Sequence, residues 1–286
     1  MTISRVGVVG CGLMGSGLAE VVAKAGTDVL VYEISDEAAA AGLARIESSL
    51  ARAVKTGKLN ETARDETLSR ITMTTDLGDF ADRELVIEAV AESEEAKTSV
   101  FAALDKIVTS PDAILASNTS SIPIMKLAMA TSRPEKVIGL HFFNPVPVMR
   151  LVEIVQSLLT DEDTAERSRA FIGEQLGKLA ITSQDRAGFI VNALLIPYQL
   201  AAIRMLESGF ATAEDIDTGV VEGLAHPMGP LTLADLIGLD TVLAVAESLY
   251  AEFKEQLYAP PPLLSRMVDA GLLGRKTGRG FYDYSN

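Results

Sequence analysis

Apolar residues fall along the chain in two textures. As far as about residue 186, short runs rich in β-branched side chains alternate with longer stretches of helical spacing. Arg5–Val9 (RVGVV), Asp28–Tyr32 (DVLVY), Ile71–Thr74, Leu85–Glu88 and residues 114–116 and 137–140 read as buried strands. Residues 38–54 and Glu94–Ile107 lie between them and read as helices. Such alternation predicts an α/β domain with a doubly wound, mostly parallel sheet. From about residue 188 the strands cease. Residues 189–206 form one long apolar run of helical length, Thr212 with Asp215 three residues on marks another helix start, and only residues 280–284 resemble a further strand. The boundary falls near residue 186, giving an α/β domain over 1–186 and an all-helical domain over 187–286.

The turn after the first strand is Gly10-Cys11-Gly12-Leu13-Met14-Gly15, followed directly by a helical pattern. Glycines cluster in turns for conformational reasons alone, so the spacing gains meaning from its place between a strand and a helix. There Gly10 permits the tight turn, Gly12 lets backbone approach a pyrophosphate, and Gly15 allows close packing of helix on strand. Leu13 and Met14 open the helix whose N-terminal N–H groups receive the anion. Glu33, at the end of the second strand, stands where an acid accepts hydrogen bonds from the adenosine ribose. Its charge opposes a 2′-phosphate, and Ser35-Asp36-Glu37 bring no arginine to neutralise one, so the expected cofactor is NAD on a Rossmann-type domain.

Composition narrows the partners. With 25 Lys and Arg against 39 Asp and Glu the net charge is −14, the wrong sign for a nucleic-acid surface. A lone cysteine, Cys11, excludes an internal disulfide and suits a reducing compartment, which points to the cytoplasm. No apolar run approaches the ~20 residues of a membrane span. One cysteine and two distant histidines offer no metal-ligand spacing. The helical domain carries more apolar surface than a hundred residues readily bury, which implies a homodimer.

The two histidines narrow the search for a group that transfers protons near neutrality. His141 closes the strand run VIGLH, and a loop held extended by Pro145 and Pro147 leads into residues 151–155 (LVEIV), which alternate as a strand. A chain that returns in this way can set Glu153 beside His141, orienting the imidazole and stabilising its charged form. Twelve residues of separation do not by themselves pair the two. His226 lies in a Pro/Gly loop before a helix, where a packed or capping role is the simpler reading.

SNTSSI at 117–122, HFFNPVPVMRLVEIV at 141–155, GFIVNALLIPY at 188–198, AHPMGPL at 225–231, IGLD at 237–240 and GRKTGRGFYDY at 274–284 carry a resemblance. In this order they span nearly the whole chain, which resembles the L-3-hydroxyacyl-CoA dehydrogenase family, in particular its stand-alone bacterial 3-hydroxybutyryl-CoA members. The resemblance implies His141 as general base, Glu153 as its partner, and Ser120 and Asn192 on the substrate's oxygen functions. Around NAD it places Glu92, Lys97, Ser120, Asn144 and Lys276 beside the glycines and Glu33. On the residues alone, Glu92, Lys97 and Lys276 are equally ordinary surface charges, and Ser120 and Asn144 are equally turn formers.

The family binds CoA in the segment holding Ser49, Arg52, Lys55 and Lys58, where basic residues near a helix end also simply complement its dipole. Two positions depart from the pattern: Ala187 replaces a common proline and Ala193 a common arginine. The expected activity is NAD-dependent interconversion of short-chain L-3-hydroxyacyl-CoA and 3-oxoacyl-CoA. A dehydrogenase of a free hydroxy acid or sugar acid, and a catalytically silent NAD-binding protein, are the rival readings.

Overall fold

The computed structural model describes residues 2–285. The chain divides into two compact units, Met1–Arg186 and Ala187–Asn286.

In the first unit β-branched runs form eight strands: β1 (Arg5–Val9), β2 (Asp28–Tyr32), β3 (Ile71–Thr74), β4 (Leu85–Glu88), β5 (Ile114–Ser117), β6 (Val137–Phe142), β7 (Leu151–Gln156) and β8 (Leu179–Gln184). They make one sheet in the order β3-β2-β1-β4-β5-β6-β7-β8. The first six run parallel, β7 is antiparallel to β6, and β8 is parallel to β7. This is the expected mostly parallel Rossmann-type sheet. Its order reverses between β1 and β4, and ligands of open α/β sheets bind beyond the carboxyl ends of the strands at such a point.

Helices α1 (Leu13–Lys24), α2 (Asp36–Lys55), α3 (Glu61–Ser69), α4 (Glu94–Ile107), α5 (Ile124–Ala128) and α6 (Glu162–Ala170) connect the strands. Their starts follow local chemistry. Ser35, Ser93 and Asp161 accept from the N–H three residues on and cap α2, α4 and α6. The short α5 begins after Pro123, and the Asp185 carboxylate accepts from the N–H groups of Ile124 and Met125 at 2.9 and 2.7 Å. Val6, Val8, Leu18, Val22, Ile87, Ile114, Leu140 and Ile154 belong to the core on which helices and sheet meet.

The first glycine turn is set by packing. A side chain at position 15 would drive its Cβ into the carbonyl oxygen of Gly10, a backbone atom that cannot swing away. Gly15→Ala is therefore expected to destabilise the first unit by about 1–3 kcal/mol through overpacking. Urea denaturation measures this, and an unchanged midpoint would show that the turn yields freely.

The second unit is helical: α7 (Val191–Glu207), α8 (Ala213–Leu224), α9 (Pro230–Ile237), α10 (Leu239–Phe253) and α11 (Pro262–Asp269). Leu200, Ile203, Leu231, Val242, Leu249 and Leu264 are buried in its own core. Two expectations are corrected. The long helix begins at Val191 and not 189, because Gly188 and Phe189 both take positive φ, 74° and 49°. Residues 280–284 form no strand. The buried Asp235 carboxylate instead gathers the N–H groups of Phe281 and Tyr282, each at 3.0 Å, and the Tyr284 hydroxyl at 3.1 Å. Isolated bridges join Arg279 to Gly274 and to Asp283. Thr212 caps α8 as expected, accepting from the Asp215 N–H at 3.1 Å. Among the described residues no helix is long and apolar enough to cross a membrane.

Candidate active site

The antiparallel pairing at the far side of the sheet brings His141 and Glu153 together. They are direct partners in the β6–β7 register, so their side chains leave the same face. His141 Nδ1 lies 2.7 Å from Glu153 Oε2, and the carboxylate is 0% exposed. A carboxylate only accepts, so Nδ1 carries the proton and Nε2 is left as an acceptor. The Ser120 hydroxyl lies 3.0 Å from Nε2 and donates to it. Phe143 packs against the imidazole with ring centroids 4.7 Å apart. A serine, a basic nitrogen and an orienting carboxylate thus stand in one line, able to take up or return one proton at Nε2.

Ser120 rides on a turn held from below. Glu92 Oε1 accepts from the N–H groups of Ser120 and Ser121, at 2.9 and 3.2 Å, and from the hydroxyls of Thr119 and Ser121. Lys97 Nζ lies 3.2 Å from the other Glu92 oxygen and 2.7 Å from Glu88 Oε1. Lys97 is only 1% exposed, so it is no ordinary surface charge. Burial pushes the Glu92 carboxyl up, but Lys97 and the hydroxyl and amide donors outweigh it and hold the group below its ordinary 4.5. A carboxyl depressed on folding contributes stability that is present above its unfolded value and lost as pH falls through the folded one. Glu92→Gln should therefore flatten the loss of melting temperature below pH 4.5. An acid limb as steep as in the parent would remove Glu92 as its source.

The glycine turn fits a dinucleotide. Gly12 is the N-cap of α1, no side chain bonds the free N–H groups there, and a Cβ at Gly12 would meet nothing within 4 Å. Leu13 is exposed, Met14 half-buried, and Gly10 adopts φ 90°. These features suit a pyrophosphate at a helix N-terminus. Glu33 follows β2, its carboxylate accepting from the Cys11 and Ile34 N–H groups. Ser35-Asp36-Glu37 bring no arginine to this acid, but α2 supplies one: Arg45 Nη1 donates to the Cys11 carbonyl at 3.1 Å. No motif marks Arg45, which reaches the turn because α2 packs back over α1. Burial, reinforced by the Glu33 charge, pushes the Cys11 thiol up to about 11.

The remaining candidates are spread over both units. Asn144 is exposed and precedes a cis Pro145. Lys178, which no motif marks, steadies that loop by donating to the carbonyls of Val146 and Met149 at 2.8 and 2.7 Å. Ser49 is half-buried on α2, while Arg52 and Lys55 are exposed in its last turns. Asn192 lies in the first turn of α7. Lys276 pairs with Asp240. His226 is exposed, its ring 6.0 Å from that of Tyr198 in an edge-on contact. Among the described residues no three His, Cys, Asp or Glu side chains stand together to hold a metal ion.

Comparison with known proteins matches this architecture. A family model for the NAD binding domain of 3-hydroxyacyl-CoA dehydrogenase matches residues 5–186, and one for the C-terminal domain of that enzyme matches residues 188–284. The chain is 60% identical over 282 residues to a 3-hydroxybutyryl-CoA dehydrogenase of Mycobacterium tuberculosis, covering 99% of each. It is also similar to the crystal structure of FadB2 of that organism, with TM-score 0.98 and 60% identity over 99% of this chain and 100% of the other. The crystal structure of (S)-3-hydroxybutyryl-CoA dehydrogenase from Ralstonia eutropha resembles it with TM-score 0.95 and 47% identity, covering 100% of both.

Proposed function

The chain belongs to the 3-hydroxyacyl-CoA dehydrogenase family, and on that footing we propose that it interconverts short-chain L-3-hydroxyacyl-CoA and 3-oxoacyl-CoA with NAD. The pair in view is 3-hydroxybutyryl-CoA and acetoacetyl-CoA. The observation that carries this reading is the line from Ser120 Oγ through His141 to the buried Glu153, at 3.0 and 2.7 Å.

When bound, NAD supplies the two-electron acceptor for oxidation of the carbinol, and NADH the donor for the reverse. Gly10, Gly12, Leu13, Met14 and Gly15 would hold its pyrophosphate and Glu33 the adenosine ribose. Glu92, Lys97, Ser120, Asn144 and Lys276 would complete that site by the family pattern. In oxidation His141 Nε2 takes the proton of the substrate's 3-hydroxyl, and in reduction it returns one to the 3-oxo oxygen. Glu153 accepts from Nδ1–H throughout, keeping the tautomer and stabilising the imidazolium. Ser120 and Asn192 contact the substrate's oxygen functions, so the reacting carbon is held in place and acceleration comes largely from positioning. Ser49, Arg52 and Lys55 take the CoA portion, and Arg52 and Lys55 are the local cations that an acidic protein needs for an anionic substrate.

We place the protein in the cytoplasm and read its assembly as a homodimer. Leu194, Phe210 and Leu224 are each more than 60% exposed on the second unit, an apolar excess of the kind that interfaces cover. Light scattering should give twice the chain mass, and a monomer would overturn the dimer.

Absorbance of NADH on mixing with acetoacetyl-CoA tests the function, run beside NADPH and beside free acetoacetate. Rapid NADH oxidation with the thioester alone is expected. Equal turnover of free acetoacetate would make this a free-acid dehydrogenase, and NADH binding without turnover would make it a silent binder.

A further inference from the structure

We propose that Glu88, which none of the roles above employs, is a positioning residue: through two hydrogen-bonded routes it fixes the 119–121 turn and so holds the Ser120 hydroxyl against His141. The inference rests on the functional reading above.

Sheet register sets the arrangement. Glu88 ends β4 and is the direct partner of Ser117 at the end of β5, and Ser117 is the partner of Gly139 on β6. His141 lies two residues beyond Gly139 and is partnered by Glu153, so all these positions face one side of the sheet. The absence of a side chain at Gly139 is required, because a Cβ there would press on Val155 and Ile124. A polar row thus crosses three parallel strands and ends at the His141–Glu153 pair.

Glu88 is 0% exposed, and both its oxygens are engaged. Oε1 accepts from Lys97 Nζ and from the Val90 N–H, both at 2.7 Å, and Oε2 accepts from the Ser117 hydroxyl at 2.7 Å. The first route follows from that last bond. Having given its only proton to the carboxylate, Ser117 Oγ can only accept elsewhere, and it accepts the Thr119 N–H at 3.2 Å. The second route runs through Lys97. Its ammonium, held by Glu88, lies 3.2 Å from Glu92 Oε2, and Glu92 Oε1 receives the N–H groups of Ser120 and Ser121. Both routes end on the backbone amides of the turn that carries Ser120.

Stability alone does not account for such a group. A buried ion pair gains little over apolar side chains of the same volume, because desolvation offsets the attraction. Holding a hydroxyl within about half an ångström of its productive position beside a reacting nitrogen is a use that apolar packing cannot fill.

A double-mutant cycle of Glu88→Gln with Ser120→Ala tests this, with acetoacetyl-CoA and NADH as substrates and circular dichroism as the control for folding. Glu88→Gln should lower kcat/KM for the thioester by about tenfold in the parent, since loss of alignment is costly. In the Ser120→Ala background the same change should matter by less than about twofold. A full tenfold loss that persists without the Ser120 hydroxyl overturns the proposal, as does parental activity in Glu88→Gln. If Glu88→Gln does not fold, Ser117→Ala cuts the first route without touching a buried charge and is judged by the same cycle. The chain has only two histidines, so nitrogen-15 shifts of His141 are readily assigned. Glu88→Gln, or Ser117→Ala in its place, should move the Nε2 shift toward that of Ser120→Ala, and an unmoved shift overturns the proposal even in a chain that turns over no thioester. Absence of turnover in the parent, by contrast, counts against the functional reading alone.

Discussion

His141→Gln is expected to lower kcat by roughly a hundredfold to ten-thousandfold while leaving NADH binding near its parental level, the range that general acid–base catalysis supplies. Glutamine can still donate an amide hydrogen to the Glu153 carboxylate and accept from Ser120, so local geometry has a means of surviving. What it lacks is a nitrogen that takes a proton near neutrality. No other imidazole of the first unit can substitute, since the second histidine, His226, belongs to the helical unit. Steady-state kinetics with acetoacetyl-CoA and a fluorescence titration with NADH separate the two effects. Near-normal turnover would remove His141 from the proton transfer, and loss of NADH binding would show that the substitution had disturbed the fold.

Lys97→Met is expected to have the largest effect on stability, about 3–5 kcal/mol, the usual cost of leaving one partner of a buried ion pair uncompensated. Methionine fills much of the lysine volume, so the loss measures charge more than space. Glu88 would keep the Val90 N–H and the Ser117 hydroxyl but no countercharge, and Glu92 would lose the ammonium that holds it below its ordinary range. Adding Glu88→Gln to Lys97→Met removes the stranded charge and should recover a large part of the loss, which two independent substitutions would not do. Urea denaturation of the two single variants and the double variant measures this. A Lys97→Met midpoint equal to the parent's would mean that water reaches the site and solvates the carboxylate.

The strands of the first unit were readable because buried parallel strands are continuous apolar runs, and Arg5–Val9, Asp28–Tyr32, Ile71–Thr74 and Leu85–Glu88 appear in the fold with those limits. Errors gathered where backbone conformation or a distant acceptor overrides local pattern. Residues 280–284 look like a strand, yet their amides are claimed by Asp235 from α9, 46 positions away in the case of Phe281. α7 starts two residues after its apolar run begins, because Phe189 takes a positive φ that nothing local signals.

The candidate site divides in the same way. Gly10, Gly12, Gly15 and Glu33 stand out as candidates because the phosphate-binding motif they match has short, fixed spacing. His141 stood out because so few groups titrate near neutrality, and Glu153, Ser120 and Asn192 through motif resemblance. Glu88, Ser117 and Arg45 carried no such signal. Glu88 reads as the polar end of an apolar strand, and Lys97 as one more helix charge.

The amino-acid sequence by itself determined the first strands of the sheet, the glycine turn between β1 and α1 and the family. Each rests on interactions between residues close along the chain, or on motifs whose order survives as text. Only the tertiary structure decided that His141 faces Glu153 across an antiparallel pair, that Lys97 is buried between Glu88 and Glu92, and that Ser120 is aimed at Nε2. These depend on strand register, where a slip of one residue turns every side chain to the opposite face. Register is set by the packing of the whole sheet, and no local stretch of sequence contains it.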